Sequence, residues 1–246
     1  MDQTLLLALA ALIVGLSKGG LSSAAAIAVP LLALFMNPVT AAATLLPVFI
    51  VTDWIGVWLY RKTWSGRNLA ILIPSMAAGT LIATLITPYT PESALLIFTG
   101  LIGAWYIARR IFGRETSEAR PARTGPGVFW GVITGIASFI THSGAPPVQA
   151  FLLPQKLPKL EFAGTIAIAF AIGNLMKVPG YWAIGQLDGL DWVQVALLAC
   201  VGIAGTFLGR WLTGILPERG YRLLIETMLG VLSAVLLWKG VAMWLG

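Results

Sequence analysis

Long apolar segments alternate with short polar ones along the whole chain. About 20 helical residues cross the ~30 Å of hydrocarbon in a bilayer, and six of the segments approach this length. They cover residues 40–60, 68–88, 92–112, 161–183, 191–213 and 222–245. The pattern predicts an all-α polytopic membrane protein.

Two further apolar segments, 4–36 and 127–154, are too long for one straight span, and each breaks at a polar, glycine-rich centre. The first centre reads Ser-Lys-Gly-Gly-Leu-Ser-Ser from residue 17, and the second reads Thr-His-Ser-Gly-Ala-Pro-Pro from residue 141. The halves beside each centre are short for a full crossing. Each segment is therefore either a re-entrant hairpin, which is the favoured reading, or a full crossing in a protein of eight spans in two parallel repeats.

The two halves of the chain resemble each other. Asn174 follows Asp53 by 121 residues, and Phe170 follows Phe49 by the same number. With re-entrant hairpins each half makes three full crossings, an odd number, so the second half is inverted relative to the first. We predict a first repeat, a cytoplasmic linker and a second repeat at residues 1–113, 114–126 and 127–246. Such repeats place the substrate site where they meet, near the bilayer midplane.

Composition supports a membrane protein and assigns its orientation. Hydrophobic residues make up 58% of the chain and charged residues 11%, against about 25% charged residues in soluble domains. The net charge of +6 comes mostly from short loops, which favours a topological role over a nucleic-acid partner. The loops expected in the cytoplasm are 61–67, 109–126, 155–160 and 210–222. Both termini are then external, in the cell inner membrane.

The polar centres are the predicted site, because irregular backbone at membrane depth must be buried in protein or line a wet cavity. A helix should begin after each centre, with Ser22 or Ser23 as its N-cap in the first half and Ser143 in the second. Pro146 and Pro147 suit a first helical turn. Two helix N-termini would present unpaired N–H groups, an arrangement that favours a small anion.

Charged residues inside apolar segments strengthen this prediction, since an intramembrane lysine is a functional hypothesis by default. Lys18 either contacts the anion or pairs with an acid such as Asp53. Asp53 would carry a proton, coordinate Na⁺ or neutralise a lysine. Lys177 lies on the same helical face as Asn174. His142, the only histidine, would hydrogen-bond the anion, relay a proton or cap a turn.

The predicted substrate-binding residues lie in or beside the two centres. They are Lys18, Gly19, Gly20, Ser22, Ser23, Thr141, His142, Ser143, Gly144, Gln149 and Asn174. The coupling or charge-pairing residues are Asp53, His142 and Lys177. We expect no metal site, no cofactor and no enzymatic activity, because no P-loop, zinc motif or nucleophile–base pair is recognisable in the sequence.

Several of these motifs resemble the sulfite exporter family of the TauE/SafE type. They are Gly-Leu-Ser-Lys-Gly-Gly at 15–20, Thr-Asp-Trp at 52–54, Ser-Phe-Ile-Thr-His-Ser-Gly-Ala-Pro-Pro-Val-Gln at 138–149, and Ala-Phe-Ala-Ile-Gly-Asn at 169–174. The resemblance covers nearly the whole chain. It implies an inner-membrane transporter of anionic sulfur compounds or carboxylates, such as sulfite, sulfoacetate and other organosulfonates. The family is often drawn with eight spans, which differs from six spans plus two hairpins.

Physical reasoning favours export of the anion. Moving one negative charge outward across ~100 mV gains about 2.3 kcal/mol, so export needs no coupling ion, whereas import would need H⁺ or Na⁺. Alternating access around the two centres is the expected mechanism. Two alternatives are an anion channel and a non-transporting membrane factor that assists the assembly of a partner. The sequence does not define the oligomeric state.

Overall fold

The computed structural model describes residues 3–19, 24–112, 119–215 and 218–245, and these form ten α-helices. The protein is therefore all-α, as expected. The helices are α1 (Gln3–Lys18), α2 (Ala25–Leu32), α3 (Pro38–Tyr60), α4 (Gly66–Ile86), α5 (Glu92–Phe112), α6 (Thr124–Thr141), α7 (Ala145–Leu152), α8 (Lys159–Ala183), α9 (Trp192–Ile215) and α10 (Glu218–Leu245).

Local sequence explains where the central helices begin and end. The side chain of Asn37 accepts a hydrogen bond from the Val39 amide at 2.9 Å, and Pro38 occupies the first turn of α3. At the second glycine-rich centre, His142 adopts a left-handed conformation with φ of 52°, which ends α6. The largest buried apolar cluster joins α1, α2 and α3 to residues of α6 and α8.

Among the described residues, five helices are long and apolar enough to cross a bilayer, so the protein is a polytopic membrane protein. They cover Pro38–Trp58, Gly66–Tyr89, Thr124–Thr141, Leu160–Ala183 and Trp192–Gly209. The sequence predicted full spans also at α5 and α10. Helix α5 falls outside the five and carries Glu92, Arg109 and Arg110. The apolar helical segment of α10 that the structure describes is Leu229–Leu245.

Two helix boundaries differ from the sequence-based limits. Helix α6 begins at Thr124, so the last three residues of the expected linker 114–126 are helical. Pro126 lies near the helix start, where a missing N–H costs no intrahelical hydrogen bond. Helix α10 begins at Glu218, four residues before the expected span. Residues 113–118 lie outside the described part of the chain.

Helices α1 and α9 run parallel and in close contact. Ala11 lies beside Gly202 and Leu16 lies beside Gly209, so residue numbers rise together along both helices. A Cβ on Gly15 would overlap the carbonyl oxygen of Gly202. Small residues of this kind allow two helix backbones to approach closely within a membrane.

Helices α4 and α6 pack in the same way. Ser75 lies beside Gly131 and Thr80 lies beside Gly135, which makes these two helices parallel. A Cβ on Gly79 would overlap the backbone of α6, at the carbonyl oxygen of Val132. The first long helix of each half therefore packs against a later helix of the other half through facing glycines.

Helices α3 and α8 are antiparallel. Thr40, near the start of α3, donates a hydrogen bond to Gln186, just beyond the end of α8, at 2.8 Å. Further along α3, Gly56 lies beside Ala167, which is near the start of α8. Residue numbers thus rise along one helix as they fall along the other.

Helices α5 and α10 are antiparallel too. Gly240 contacts Ile97 and Gly230 contacts Ile107. Both pairs, α3 with α8 and α5 with α10, join helices that occupy the same place in the two halves of the sequence. Equivalent helices therefore run in opposite directions wherever they touch.

The chain doubles back through α7. The Arg120 amide, just before α6, donates to the carbonyl oxygen of Pro154, just after α7, at 2.8 Å. Gln155 also bonds with Asn68 near the start of α4, where Asn68 Nδ2 donates to Gln155 Oε1 at 2.9 Å. The α6–α7 segment thus enters and leaves at the same end of the molecule.

The first broken segment has a similar course. Gly202 of α9 lies against both Ala11 of α1 and Val48 of α3, and Lys18 at the end of α1 pairs with Asp53 of α3. Helices α1 and α3 are therefore parallel. Because α2 is the helix between them, the chain returns along α2 before α3 begins.

Candidate functional site

A carboxylate lies at the contact between α3 and α8. Asp53 is 2% exposed, and its Oδ1 accepts a charge-assisted hydrogen bond from Lys18 Nζ. Its Oδ2 accepts a hydrogen bond from Asn174 Nδ2. Asp53 and Asn174 are the residues that aligned at an offset of 121 in the sequence, and here their side chains touch. Of the two alternatives for Lys18, the structure contains the ion pair with Asp53.

Lys18 is the more accessible member of that pair. It is the last residue of α1, and 20% of its side chain is exposed, against 2% for Asp53. Its ammonium group lies 5.5 Å from the ring centroid of Phe49, within the range of a cation–π contact. An ammonium group has three donors, and the bond to Asp53 uses one of them.

Lys177 is fully buried and bonds at the end of α6 instead. Its Nζ donates to the carbonyl oxygen of Ser138 at 2.9 Å, to Ser138 Oγ at 2.9 Å and to His142 Nδ1 at 2.7 Å. Tyr181, one turn further along α8, donates to the carbonyl oxygen of Phe139. The last carbonyls of a helix have no partner within it, and two α8 side chains supply donors for this helix end.

His142 contacts both Lys177 and the Phe49 ring that lies beside Lys18. Its Nε2 lies 2.8 Å from the carbonyl oxygen of Ala42. Because a carbonyl only accepts, Nε2 carries the proton, and Nδ1 is then free to accept from Lys177. The imidazole stacks on Phe49, with ring centroids 4.1 Å apart and planes at 15°. Phe49 therefore contacts both Lys18 and His142.

The second tip, residues 141–144, differs from the expected anion-binding helix start. Ser143 was the expected N-cap, but the cap position of α7 is Gly144, without a side-chain hydrogen bond. The Ser143 hydroxyl bonds back to the carbonyl oxygen of Thr141 at 3.3 Å. This prediction was wrong because the left-handed residue before Ser143 ends α6 and turns the chain back over its last residues.

Few backbone donors are free at the start of α7. Pro146 and Pro147 have no N–H, and the Val148 amide donates to the carbonyl oxygen of Gly144. The C-termini of α1 and α6 also lie at the tips. A helix C-terminus carries partial negative charge, which disfavours an anion. Positive charge at this place therefore comes from lysine side chains, chiefly Lys18, more than from helix ends.

The remaining predicted residues of the second half, Thr141, Gly144 and Gln149, pack or bond within the protein or are half-buried. Thr141 donates to the carbonyl oxygen of Ala137 at 3.0 Å, within α6. A Cβ on Gly144 would lie 3.0 Å from Ser138, so glycine permits the tip to fold onto α6. Gln149 is half-buried on α7.

The first tip, residues 17–24, is described only in part. The Gly19 amide donates to the carbonyl oxygen of Gly15 at 3.1 Å, which extends the last turn of α1. Three predicted substrate-binding residues, Gly20, Ser22 and Ser23, lie outside the described residues. The geometry of this tip therefore rests on Lys18 and its partners.

One polar atom beside Asp53 lacks a partner. The Oδ1 atom of Asn174 is buried and has no hydrogen bond, the one such side-chain atom in the described part of the chain. Buried acceptors are normally satisfied, so an exception calls for an explanation. The Nδ2 of the same amide is already committed to Asp53.

Comparison with known proteins identifies the family. The family model described as sulfite exporter TauE/SafE matches residues 7–236, nearly the whole chain. The chain belongs to the TauE/SafE family. No curated protein and no solved structure matches it. Family membership makes the protein a multi-pass membrane transporter for sulfite-like anions, with a small anion and the lipid bilayer as its partners.

Asp53 and Lys177 of this TauE/SafE family member are enclosed by the surrounding helices. A cleft beside the second tip is lined by Pro30, Thr99, Gly103, Tyr106, Ser143 and Leu229, and it is too narrow to admit a water molecule. Lys177 and Asp53 are fully or almost fully buried. Direct contact of a sulfite-like anion with Asp53 or Lys177 therefore requires the surrounding groups to move, whereas Lys18 is partly exposed.

Sequence reasoning missed three residues of this arrangement. Ser138, Phe49 and Ala42 all contact Lys18, Lys177 or His142. Phe49 carried one signal, because Phe170 matches it in the second half. Ser138 appeared in the family motif at 138–149, but its role as an acceptor for Lys177 depends on the position of α8. Ala42 acts through its backbone carbonyl, which no side-chain pattern reveals.

Proposed function

We propose that this transporter exports small sulfur-containing or carboxylate anions, such as sulfite, sulfoacetate and other organosulfonates, from a midplane site centred on Lys18. The observation that carries the proposal is the Lys18–Asp53 pair beside two broken helices. Lys18 is the accessible cation of this cluster, and two of its ammonium donors are not used by Asp53. A bound oxyanion would accept from those donors.

The two halves are proposed to be inverted repeats, each with one re-entrant hairpin. The antiparallel pairs α3–α8 and α5–α10 support inversion, because parallel repeats would make equivalent helices parallel. The parallel pairs α1–α9 and α4–α6 exchange roles under the same twofold relation. Contact between Asp53 and Asn174 puts this axis through the proposed site.

The end of the molecule that carries basic loops is proposed to be cytoplasmic. Arg67 Nε donates to the carbonyl oxygen of Ala122 at 3.1 Å, which brings loop 61–67 against the end of the linker. The bond from Arg120 to Pro154 adds loop 155–160 to the same end. This clustering of basic loops supports an inner-membrane protein with external termini under the positive-inside rule.

We propose alternating access because Asp53 and Lys177 are enclosed in this conformation. The tips belong to different halves and meet at Phe49, and α1 and α6 each pack on a long helix of the opposite half. Rocking of the halves would expose Lys18 first to the cytoplasm and then to the exterior. In this scheme the Lys18 ammonium moves little, and the surrounding helices open and close around it.

The test is a thermal-stability measurement on the purified protein with sulfite, sulfoacetate, taurine, thiosulfate, acetate and chloride at constant ionic strength. A ligand that binds the folded state raises its melting temperature. We expect a rise with sulfite-like anions in the wild type and none in Lys18→Ala. Lys62→Ala, at an exposed loop lysine, is the matched control and should behave as the wild type.

Two results would count against the proposal. If no anion at millimolar concentration stabilises the wild type, the chain does not hold the proposed site in this state. If Lys18→Ala keeps the full rise in melting temperature, the anion binds away from Lys18. Because Lys18→Ala leaves Asp53 buried and unpaired, the double variant Lys18→Ala/Asp53→Asn is measured beside it to separate lost folding from lost binding.

A further inference from the structure

We propose that Asp53 and Asn174 form a proton-binding site, and that one proton binds to Asp53 when the anion takes over Lys18. This inference rests on the proposed anion site at Lys18. It is carried by the unpartnered Oδ1 atom of Asn174, which is buried beside the Asp53 carboxylate.

The geometry of the amide is complementary to a carboxylic acid. Asn174 Nδ2 donates to Asp53 Oδ2, and the Oδ1 of the same amide is a buried acceptor without a partner. An ionised carboxylate only accepts hydrogen bonds, so it cannot satisfy that atom. A protonated carboxyl group also donates, and its O–H on Oδ1 would supply the missing hydrogen bond. Acid and amide would then be joined by two hydrogen bonds in a ring.

Asp53 Oδ1 has different partners in the two protonation states. In the described state it accepts from Lys18. A bound anion first accepts from the two other donors of Lys18 and then draws the ammonium group away from Asp53. The carboxylate then keeps only a neutral amide donor and stays in a site that is 2% exposed. A buried carboxylate without a cationic partner is strongly disfavoured, and such a group takes up a proton instead. The proton comes from water on the open side and binds Oδ1.

Charged and titratable groups around Asp53 come from three elements. Lys18 approaches from α1, Lys177 acts on it electrostatically from α8, and His142 lies beside Lys177 at the second tip. Lys177 donates to Ser138 and His142. Lys18 is thus the cation whose departure leaves the carboxylate unpaired.

The coupling changes what drives transport. A monovalent anion that crosses alone responds to the membrane potential, by about 2.3 kcal/mol at 100 mV. An anion that crosses with one proton carries no net charge. Its direction is then set by the gradients of the anion and of the proton, and an outward anion gradient suffices for export when the pH is equal on both sides.

Calorimetry of anion binding to the purified protein tests the proposal. Sulfite and methanesulfonate are titrated at pH 7 in Tris and in imidazole, two cationic buffers with different ionisation enthalpies. The difference between the binding heats in the two buffers gives the number of protons taken up per anion. Methanesulfonate does not titrate near neutral pH and reports the protein alone. We expect about one proton taken up per anion at pH 7, and therefore an affinity that falls about tenfold per pH unit around this pH.

Variants assign the proton. Asp53→Asn should bind methanesulfonate with no proton uptake and no pH dependence, while His142→Gln should retain the uptake. Binding of either anion to the wild type without proton uptake overturns this inference and leaves the anion site intact. Failure of both anions to bind overturns the proposed function as well. Proton uptake that survives Asp53→Asn, or that disappears in His142→Gln alone, moves the proton elsewhere.

A double-variant cycle tests the role of the amide. Asn174→Leu removes the partner of the protonated acid, and the loss of its hydrogen bonds should weaken methanesulfonate binding about tenfold. In the Asp53→Asn background the same change should have no such effect, because no acid is formed there. Equal losses in both backgrounds would give Asn174 a structural role and overturn the inference.

Discussion

The two tips each place an amino group at the C-terminal end of a broken helix, but the two lysines have different environments. Lys18 belongs to the helix that it ends, pairs with a carboxylate and is partly exposed. Lys177 comes from α8, is fully buried and donates to Ser138 and His142. Under the proposed anion site, spare donors and access, and not charge alone, distinguish the ligand-binding lysine from the structural one.

Helix electrostatics explain how Lys177 is tolerated with acceptors that are all formally neutral. The end of α6 presents unpaired carbonyls and partial negative charge, and cations are favourable there. Lys177 adds a second hydrogen bond to the carbonyl of Ser138, which also accepts from the His142 amide, and Tyr181 donates to the carbonyl of Phe139. Lys18 occupies the same kind of position on α1, so each tip combines a helix C-terminus with a lysine.

The largest expected effect concerns the scaffold that holds both tips. Gly15→Ala and Gly135→Ala each push a methyl group into the backbone of the neighbouring helix, and overpacking of this kind costs about 3 kcal/mol. Each glycine faces a carbonyl oxygen of a parallel helix in the other half, that of Gly202 for Gly15 and that of Met76 for Gly135. The two variants should therefore lose similar stability, measured as melting temperature in detergent. Gly125→Ala, with nothing within 4 Å of the new methyl group, is the control. A large loss at only one of the two positions would contradict the twofold relation.

A smaller effect should separate the two lysines. Lys177→Met leaves Ser138 and His142 without their buried donor and should lower the free energy of unfolding by about 1–3 kcal/mol. The rise in melting temperature caused by sulfite should persist, whereas Lys18→Ala removes it. Lys62→Met, on the surface, is the control for loss of positive charge. If Lys177→Met also lost the sulfite effect, the second tip would be a contact for the anion.

The smallest effect should come from the Phe49 ring, which contacts Lys18 of the first tip and His142 of the second. Phe49→Leu removes the cation–π contact with Lys18 and the stacking on His142. Such contacts contribute about 0.5–1 kcal/mol, so calorimetry should show sulfite affinity reduced about two- to fivefold. Phe170→Leu, the matching position in the second half, should leave the affinity unchanged. Equal losses in both variants would mean that the ring acts only by filling space.

Hydropathy and glycine patterns predicted the helical fold and both chain breaks. The breaks were visible because Lys18 and His142 stand within polar, glycine-rich sequence between apolar runs. The contact between Asp53 and Asn174 was visible only as an alignment of two positions. Nothing in a linear pattern shows that a residue meets its own counterpart, since that requires the position of a symmetry axis.

The roles of particular side chains were harder to predict. Lys177 was predicted as a coupling or charge-pairing residue on the helical face of Asn174, and its donors reach Ser138 and His142 at the end of α6. The N-cap predicted at Ser143 was wrong, and the sequence already showed that few donors lie at the start of α7, since Pro146 and Pro147 have no N–H. Local propensity suggested a helix start there, but the inventory of donors at that start is what determines anion binding.

The contact between Asp53 and Asn174 also has an evolutionary consequence. Under the proposed twofold relation, an ancestor assembled from two identical half-length chains would have set this residue against its own copy. Two aspartates facing each other in a buried place repel, and two asparagines carry no charge. Only after duplication and fusion can one copy become an acid while the other remains an amide. The asymmetric pair would then be an invention of the fused gene.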